Sequence, residues 1–408
     1  MTAPAGPFAL EGLCVLDLTQ VLAGPFCTMV LADQGADVIK VEPPGGDLTR
    51  ELGPFPEGDD GHLLGGYFHS INRNKRGVVL DLKTPGGKKV LESLVRHTDV
   101  LVENFRAGVM DRMGLSYEHL KTLNPKLVYA AIRGFGDPRT GNSPYMDWPA
   151  FDVIAQAMGG MMSVTGPDKD TPMKIGPGVG DVVPALLAAV GILSAVRHAE
   201  KTGDGQFLDV SMYDGVLALC ERIVYRYSIT GEVSHPEGNA HPLACPFGIF
   251  EARDGWVALA APNDAFWDVL TTAMGRPDLK DNPRYATNQL RTEYADEVIP
   301  TVTHWTRGLP KKEIEAVLGG KIPFGPVNTV ADIFDDPHPH ARHMLTEVGY
   351  PGLDKAFAVV DTPIKMTGTQ GGIRHRAPLL GEHTGDILED LGYGADEITA
   401  LKAEGVIL

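Results

Sequence analysis

Residues 182–196 carry no charged side chain and form the longest apolar run in the chain. The run reads as a buried helix, and it is shorter than the roughly 18 residues a membrane span needs. Directly before it stands Gly176-Pro177-Gly178-Val179-Gly180-Asp181. Glycines permit a tight approach of the chain, and Pro184 is tolerated in a first helical turn, so a helix start is predicted near Asp181. A carboxylate at that place meets the positive end of the helix dipole and is expected to stay ionised. Asp181 is then either an N-cap, for which aspartate is a preferred residue, or a nucleophile aimed at an acyl carbon. Taken alone, the local sequence favours the cap.

The chain's 408 residues exceed one ordinary core, so two domains are expected. Hydrophobic residues at 43% and charged residues at 22% fit a globular protein. A formal charge of −17 speaks against a nucleic-acid partner and against an anionic membrane surface. It leaves room for an anionic ligand in a local basic pocket. Cys14, Cys27, Cys220 and Cys245 are scattered without a CxxC pair, and residues 1–9 lack a basic start followed by an apolar stretch. Both features predict a reducing, cytoplasmic setting without a signal peptide.

The first half alternates strand and helix signals. Strands are predicted at 14–18, 37–42, 77–82, 99–103, 127–132 and 207–211. Helices are predicted at 27–34, from Thr84 as cap and Pro85 to about 97, from near Asp181 to about 199, and over 213–227. Strands separated by helical stretches of about 10–15 residues imply βαβ units and a parallel sheet, hence an α/β, Rossmann-like, doubly wound domain. Ligands of such sheets bind outside the carboxyl ends of the strands, which points to the loops after Leu18, Glu42, Glu103 and Ile132. Residues 231–246, rich in Gly, Pro, His and Asn, read as a linker, and 247–326 as a smaller α+β domain.

No G-x-G-x-x-G follows the first strand, and the chain contains no Walker A motif and no G-x-S-x-G elbow. This points away from NAD and ATP. His338, His340 and His343 are close in sequence, but the intervening Pro339 fits no usual zinc spacing, so no metal is expected. The basic run Asn72-Arg73-Asn74-Lys75-Arg76 is either a solvated turn or a phosphate clamp, and Arg106, Arg112 and Arg133 add guanidinium groups near strand ends.

Several segments match together: 15–19 with Ala23-Gly24-Pro25, 35–42, 72–76, Val102-Glu103-Asn104-Phe105, Arg133-Gly134-Phe135-Gly136, Gly180-Asp181, 202–206, and 376–383. On these the chain resembles the class III CoA-transferases, the family of formyl-CoA transferase and carnitine CoA-transferase, over about residues 13–388. The resemblance implies an interlocked homodimer. It also implies a large Rossmann-like domain built from both chain ends, here residues 1–225 and 327–408, with a small α+β domain inserted over 226–326. It implies an acyl-CoA and a small carboxylic acid, such as a dicarboxylate, as substrates, with no permanently bound cofactor. By matched position Asp181 attacks the thioester to give a mixed anhydride, CoA then forms an aspartyl thioester, and the acceptor acid completes the exchange. The resemblance places Asn72, Arg73, Asn74, Lys75, Asn104, Phe105, Arg106, Arg112, Arg133, Gly134, Phe135 and Gly136 at CoA, with Val21, Leu22 and Ala23 lining the pantetheine channel.

The chain departs from formyl-CoA transferase at Leu22, where that enzyme has a glutamine beside the acyl group. It departs again at Pro43, in place of an arginine, and at 238–242, where a glycine-rich lid is not visible. The rival of the same fold, α-methylacyl-CoA racemase, uses a histidine that falls at Phe151, and phenylalanine moves no proton. A non-catalytic acyl-CoA binder is the third reading, and it has no need of an ionised aspartate facing the thioester.

Overall fold

The computed structural model describes residues 7–59 and 61–408. Two compact units emerge. The first comprises residues 7–59, 61–161, 175–224 and 338–408, and the second 162–174 and 225–337. The second unit thus reaches Pro337 rather than closing at 326, and it also takes up 162–174.

In the first unit, strands β1 (Cys14–Asp17), β2 (Asp37–Glu42), β3 (Lys75–Val79), β4 (Val100–Glu103), β5 (Val128–Arg133) and β6 (Phe207–Ser211) form one sheet. Its order is β3-β2-β1-β4-β5-β6, and every pair is parallel. The order reverses between β1 and β4, where doubly wound sheets place their ligands. The helices between the strands are α1 (Ala23–Asp33), α2 (Gly66–Ile71), α3 (Pro85–Val95), α4 (Val109–Arg112), α5 (Tyr117–Leu123), α6 (Asp152–Met158) and α7 (Val179–Thr202).

Successive strand residues divide between two faces, as a period of two dictates. Val15, Val38, Val102 and Ile132 pack against α1 and α7, whereas Leu16, Ile39, Leu101 and Tyr129 pack against α3, α5 and the chain end. On α7 the sheet side is Ala185, Ala188, Ala189, Ile192, Ala195 and Ala199. Spacings of three and four keep these on one stripe, and the small side chains let the helix lie close to the strands. Thr84 caps α3, its hydroxyl accepting from Gly87 N at 3.0 Å, with Pro85 at the first helical position.

Two helix starts differ from the sequence expectation. The first helix begins at Ala23, not at 27, because Pro25 falls in its first turn and its missing N–H costs nothing there. Helix α7 begins at Val179, two residues before Asp181, and runs to Thr202. Pro184 is therefore inside the helix and leaves the Gly180 carbonyl without its donor. At 24 residues α7 is, among the described residues, the one helix long and apolar enough to cross a membrane by length and composition; its alanine stripe is packed on the sheet. After β6, the stretch expected as one helix is two, α8 (Met212–Leu219) and α9 (Glu221–Thr230), interrupted at Cys220. Gly215 of α8 lies against Pro184, where an added Cβ would meet its Cγ at 2.9 Å.

The second unit has a sheet of β7 (Ala240–His241), β8 (Ala244–Ala252), β9 (Gly255–Ala260) and β10 (Phe324–Pro326), in order β10-β9-β8-β7 and antiparallel. The linker expected over 231–246 thus includes β7 and the start of β8. Helices α10 (Asp264–Ala273), α11 (Asn288–Glu293), α12 (Ala295–Arg307) and α13 (Lys311–Leu318) cover this sheet around Trp267, Leu270 and Val302. Arg291 is fully buried and donates to the carbonyls of Cys245, Tyr285 and Pro262, tying α11 to the sheet.

Candidate active site

Asp181 is the third residue of α7, and Gly178 is the N-cap. Two neighbouring segments close on this helix start. From α6, Asp152 Oδ1 accepts from Gly180 N at 2.7 Å, and a Cβ on Gly180 would sit 2.7 Å from the Asp152 carbonyl oxygen. Only glycine fits so near a backbone oxygen. From the loop after β1, Leu22 Cδ2 lies 3.1 Å from where a Gly178 Cβ would be, and Asp181 Oδ2 lies 3.7 Å from the same point. Leu22, Gly178, Asp181 and Asp152 are thus neighbours. The Asp181 carboxylate itself accepts no hydrogen bond from the described residues, so an oxygen stands ready for another partner.

The charge state of Asp181 differs from the sequence expectation. Burial, followed by the negative charge of Asp152, pushes its pKa up to about 7. Desolvation outweighs the helix dipole, so near neutral pH the group divides between acid and carboxylate rather than staying wholly ionised. Tyr67 of α2 lies within reach of the same charges: burial, then Asp181, Asp47 and Asp152, raise its hydroxyl pKa, and the ring stays neutral at neutral pH.

The loop before Leu22 is held from two sides. Asn104 accepts from Gln20 N at 2.8 Å and donates to Gln20 O at 2.7 Å. Lys40 Nζ donates to Thr19 O and pairs with Asp47 at 3.0 Å. Val21 has φ of 68°, a left-handed conformation that a β-branched residue adopts only under constraint. Asn104 therefore acts through the loop, with both amide atoms spent on Gln20. Ala23 is buried as the first residue of α1.

The expected phosphate clamp at 72–75 is corrected. Its residues lead into β3, of which Lys75 is the first residue, and lie at the amino edge of the sheet, opposite the ligand edge, and their charges are neutralised within the first unit. Arg73 forms a fork with Asp33 at 2.7 and 3.0 Å. Asn74 donates to the same carboxylate and to Gly372 O. Lys75 pairs with Asp17 at 2.9 Å and also donates to Asn72 and to Pro25 O. Burial lowers the Lys75 pKa to about 8, while Asp17, though fully buried, is held below the usual carboxylate range by Lys75, Lys40 and Thr19. Buried charge requires a fixed partner, and these cations already have one. Arg133 is corrected likewise: it is buried and paired with Glu103 and Asp137, and its Nε supports the Phe105 carbonyl at 3.2 Å. Phe135 is buried between Tyr145, Trp148 and Tyr213. Gly134 abuts Ala150, and Gly136 has φ of 86°, so this segment is a packed turn.

Among the described residues, exposed cations that follow the carboxyl ends of strands without an ion pair include Arg106 and Arg112, after β4, and Lys83, after β3; Arg139, after β5, is only partly exposed and is paired with Asp111, Glu118 and Asp137. Lys83 was not anticipated; the signal available was its place behind a strand rather than before one. Phe105 is half-buried beside them, its N–H donating to Glu103 at 2.7 Å. Asp152 was not singled out from the sequence, although it adjoins Phe151, which stands at the N-cap position of α6 and is 65% exposed. An apolar cavity of about 870 Å³ lies elsewhere in the first unit, lined by Phe26, Met29, Leu186, Phe357 and Val359 among others, and does not include Asp181.

The profile of CoA-transferase family III matches residues 10–384. The chain belongs to that family. The family III chain is 50% identical over 392 residues to a succinyl-CoA:mesaconate CoA-transferase of Haloarcula hispanica, covering 95% of this chain and 97% of that one. It is 39% identical over 386 residues to a succinate–glutarate CoA-transferase of Agrobacterium fabrum, covering 94% and 95% of the two chains. A crystal structure of a CAIB/BAIF family protein from Brucella suis superposes with a TM-score of 0.84 at 35% identity, covering 94% of this chain and all of that one. This CoA-transferase is an enzyme that moves CoA from an acyl-CoA thioester to a carboxylic acid.

Proposed function

We propose that Asp181 is the nucleophile through which CoA passes and that both exchanged acids are dicarboxylates. The observation that carries the first part is the unengaged Asp181 carboxylate at the start of α7, with Leu22 and Gly178 against it. Its oxygen attacks the thioester carbon, giving a mixed anhydride and CoA thiolate. The thiolate attacks the Asp181 carbonyl, giving an aspartyl thioester and the first acid. The acceptor carboxylate then reverses the two steps. Each step is a single acyl transfer between groups held side by side, which replaces one difficult exchange by easier ones. A pKa near 7 leaves enough carboxylate to attack and makes it a stronger nucleophile than an ordinary aspartate.

The second part rests on the relatives, which are named for succinate, mesaconate and glutarate, and on Leu22. An apolar side chain beside Asp181 offers contact to the methylenes of a four-carbon acyl group. In Leu22→Gln, kcat/KM for succinyl-CoA is expected to fall about tenfold while that for formyl-CoA holds or rises, since one or two buried methylenes contribute roughly 1–2 kcal/mol. Steady-state assays with the two donors and a panel of acceptor acids check this. Equal loss with both donors, or preference of the unsubstituted enzyme for monocarboxylates, contradicts it.

For the nucleotide end of CoA we propose Lys83, Arg106 and Arg112, with Phe105 beneath the adenine. They are exposed cations of the ligand edge without a carboxylate partner, whereas Arg73, Lys75 and Arg133 are committed to buried carboxylates and Arg139 to Asp111 and Glu118. Lys83→Ala and Arg112→Ala are each expected to raise KM for acyl-CoA by roughly 3- to 10-fold with little change in kcat, the range of one charge-assisted contact at an open site. Initial-rate measurements decide.

A homodimer, interlocked as in its family, is supported by α7, whose outer face exposes Leu186, Leu187, Val190 and Leu193, with Val190 64% exposed. A ridge of that kind seeks a covering surface. The large domain assembled from both chain ends and the cytoplasmic setting, consistent with four free thiols, complete the proposal.

A further inference from the structure

Asp152, the first residue of α6, is a carboxylate fixed in place beside Asp181. Gly180 N–H reaches Oδ1 at 2.7 Å, and Gln156 Nε2 reaches both oxygens at 2.9 Å. Gln156 is fixed in turn by Ile175 N, which donates to its Oε1 at 2.9 Å. Asp152 Cγ and Asp181 Oδ2 lie 3.9 and 3.7 Å from one point, the place of a Cβ on Gly178. Two carboxyl groups thus flank one glycine, and no cation of the described residues stands between them.

We propose that Asp152 is a positioning residue that biases Asp181 toward its acylated state: its carboxylate, pinned by Gly180 and Gln156, repels the charge that only the unacylated aspartate carries. The proposal rests on Asp181 being the nucleophile. When its oxygen attacks the acyl-CoA, a C–O bond forms, the C–S bond breaks, and the electron pair leaves on sulfur as thiolate. Asp181 becomes a neutral anhydride carbonyl. When the thiolate attacks that carbonyl, an S–C bond forms and the acid departs as a carboxylate, so the aspartyl thioester is neutral as well. In both covalent states the repulsion is gone. A like charge at this range therefore raises the energy of free enzyme relative to covalent enzyme and sharpens the nucleophile by the same amount.

Among the described residues no other charge competes for this role. Tyr67 of α2 is neutral, and Asp47 acts on Tyr67 rather than on Asp181. From α8, Tyr213 turns to Phe135 and Asp214 bears on Asp209. Arg133 of β5 is paired with Glu103 and Asp137, and Asp209 of β6 accepts from Thr140 and Asp137 N. Leu22 brings no charge.

The sign of the pH effect follows. Removing the Asp152 charge makes Asp181 easier to ionise, so the alkaline-rising limb of adduct formation moves to lower pH. Asp152→Asn and Asp152→Ser keep an acceptor for Gly180 N–H but no charge, and Asp152→Glu keeps the charge. The test follows acylation of purified enzyme by succinyl-CoA without acceptor, with intact-protein mass spectrometry across pH, alongside thermal melting. For Asn and Ser variants that melt as the unsubstituted protein does, we expect the midpoint of adduct formation to fall by about one pH unit and the ratio of covalent to free enzyme at high pH to fall about tenfold. Asp152→Glu is expected to hold the original midpoint even if it turns over slowly. If the neutral variants keep the original midpoint and adduct ratio, or if Asp152→Glu loses them as the neutral variants do, the proposal is overturned. Should the neutral variants fail to fold, the Asp152→Glu midpoint decides alone. No adduct at Asp181 in the unsubstituted enzyme overturns the nucleophile reading and this proposal together, whereas an adduct indifferent to Asp152 overturns this proposal only.

Discussion

Asp181→Ala retains acyl-CoA binding and loses CoA transfer, with kcat falling at least about 10⁴-fold, the scale on which removal of a covalent nucleophile is felt. The side chain carries no hydrogen bond that the fold needs, and Gly178 remains the N-cap, so the first turn of α7 persists without it. Removing a carboxylate whose pKa is raised removes a strained charge, and thermal stability is expected to hold or rise. Asp181→Asn behaves in the same way toward transfer. Parallel measurement of turnover, acyl-CoA affinity and melting separates this outcome from misfolding. A loss of binding equal to the loss of turnover, or retained turnover, does not fit a nucleophile.

Lys75→Met is the second large effect, and it falls on stability. Lys75 and Asp17 are both fully buried, 2.9 Å apart, and Asp17 also accepts from Thr19 N, Thr19 Oγ1 and Thr28 Oγ1. Removing one partner leaves an uncompensated buried charge, a loss of about 3–5 kcal/mol. The melting midpoint is expected to drop by roughly 6–10 °C for a unit of this size. Lys75→Met combined with Asp17→Asn is expected to be milder than the sum of the two, because the second change removes the orphan. Differential scanning calorimetry of the single and double variants checks both points. If Lys75 served CoA phosphate instead, the single variant would melt normally and show only a raised KM.

Those two residues also show where sequence reasoning stops. The sheet was legible because each strand writes its burial locally: Val15 and Leu16 are adjacent in the chain and face opposite layers. Thr84-Pro85 announced α3 for the same reason, since a cap and a proline act within one turn. The cations of 72–75 were misread because what neutralises them is remote. Arg73 finds Asp33 some 40 positions away, and Lys75 finds Asp17 some 58 away. A charge run looks the same whether its partner is a ligand phosphate or a buried carboxylate of the same chain. Pro184 misled in a smaller way, because α7 accepts the lost hydrogen bond inside its second turn.

A helix start near Asp181 was legible from the glycines and the apolar run behind it, but the ionisation of Asp181 was not. That depends on desolvation and on Asp152, which is brought up by the packing of α6 on α7. Helix dipole arguments apply to a solvated terminus; here the terminus is enclosed, and burial outweighs the dipole. Lys83 escaped notice for lack of a motif, although its place behind β3 marks the ligand edge.

The central claim is a covalent bond to one oxygen of Asp181. Incubating the enzyme with succinyl-CoA and hydroxylamine, then digesting it and sequencing the peptide that spans 176–196 by tandem mass spectrometry, tests it most directly. The account predicts a hydroxamate on Asp181, formed only when acyl-CoA is present and in step with loss of activity. An unmodified Asp181 in enzyme that has lost activity under these conditions, or a hydroxamate on a different carboxylate, would contradict it.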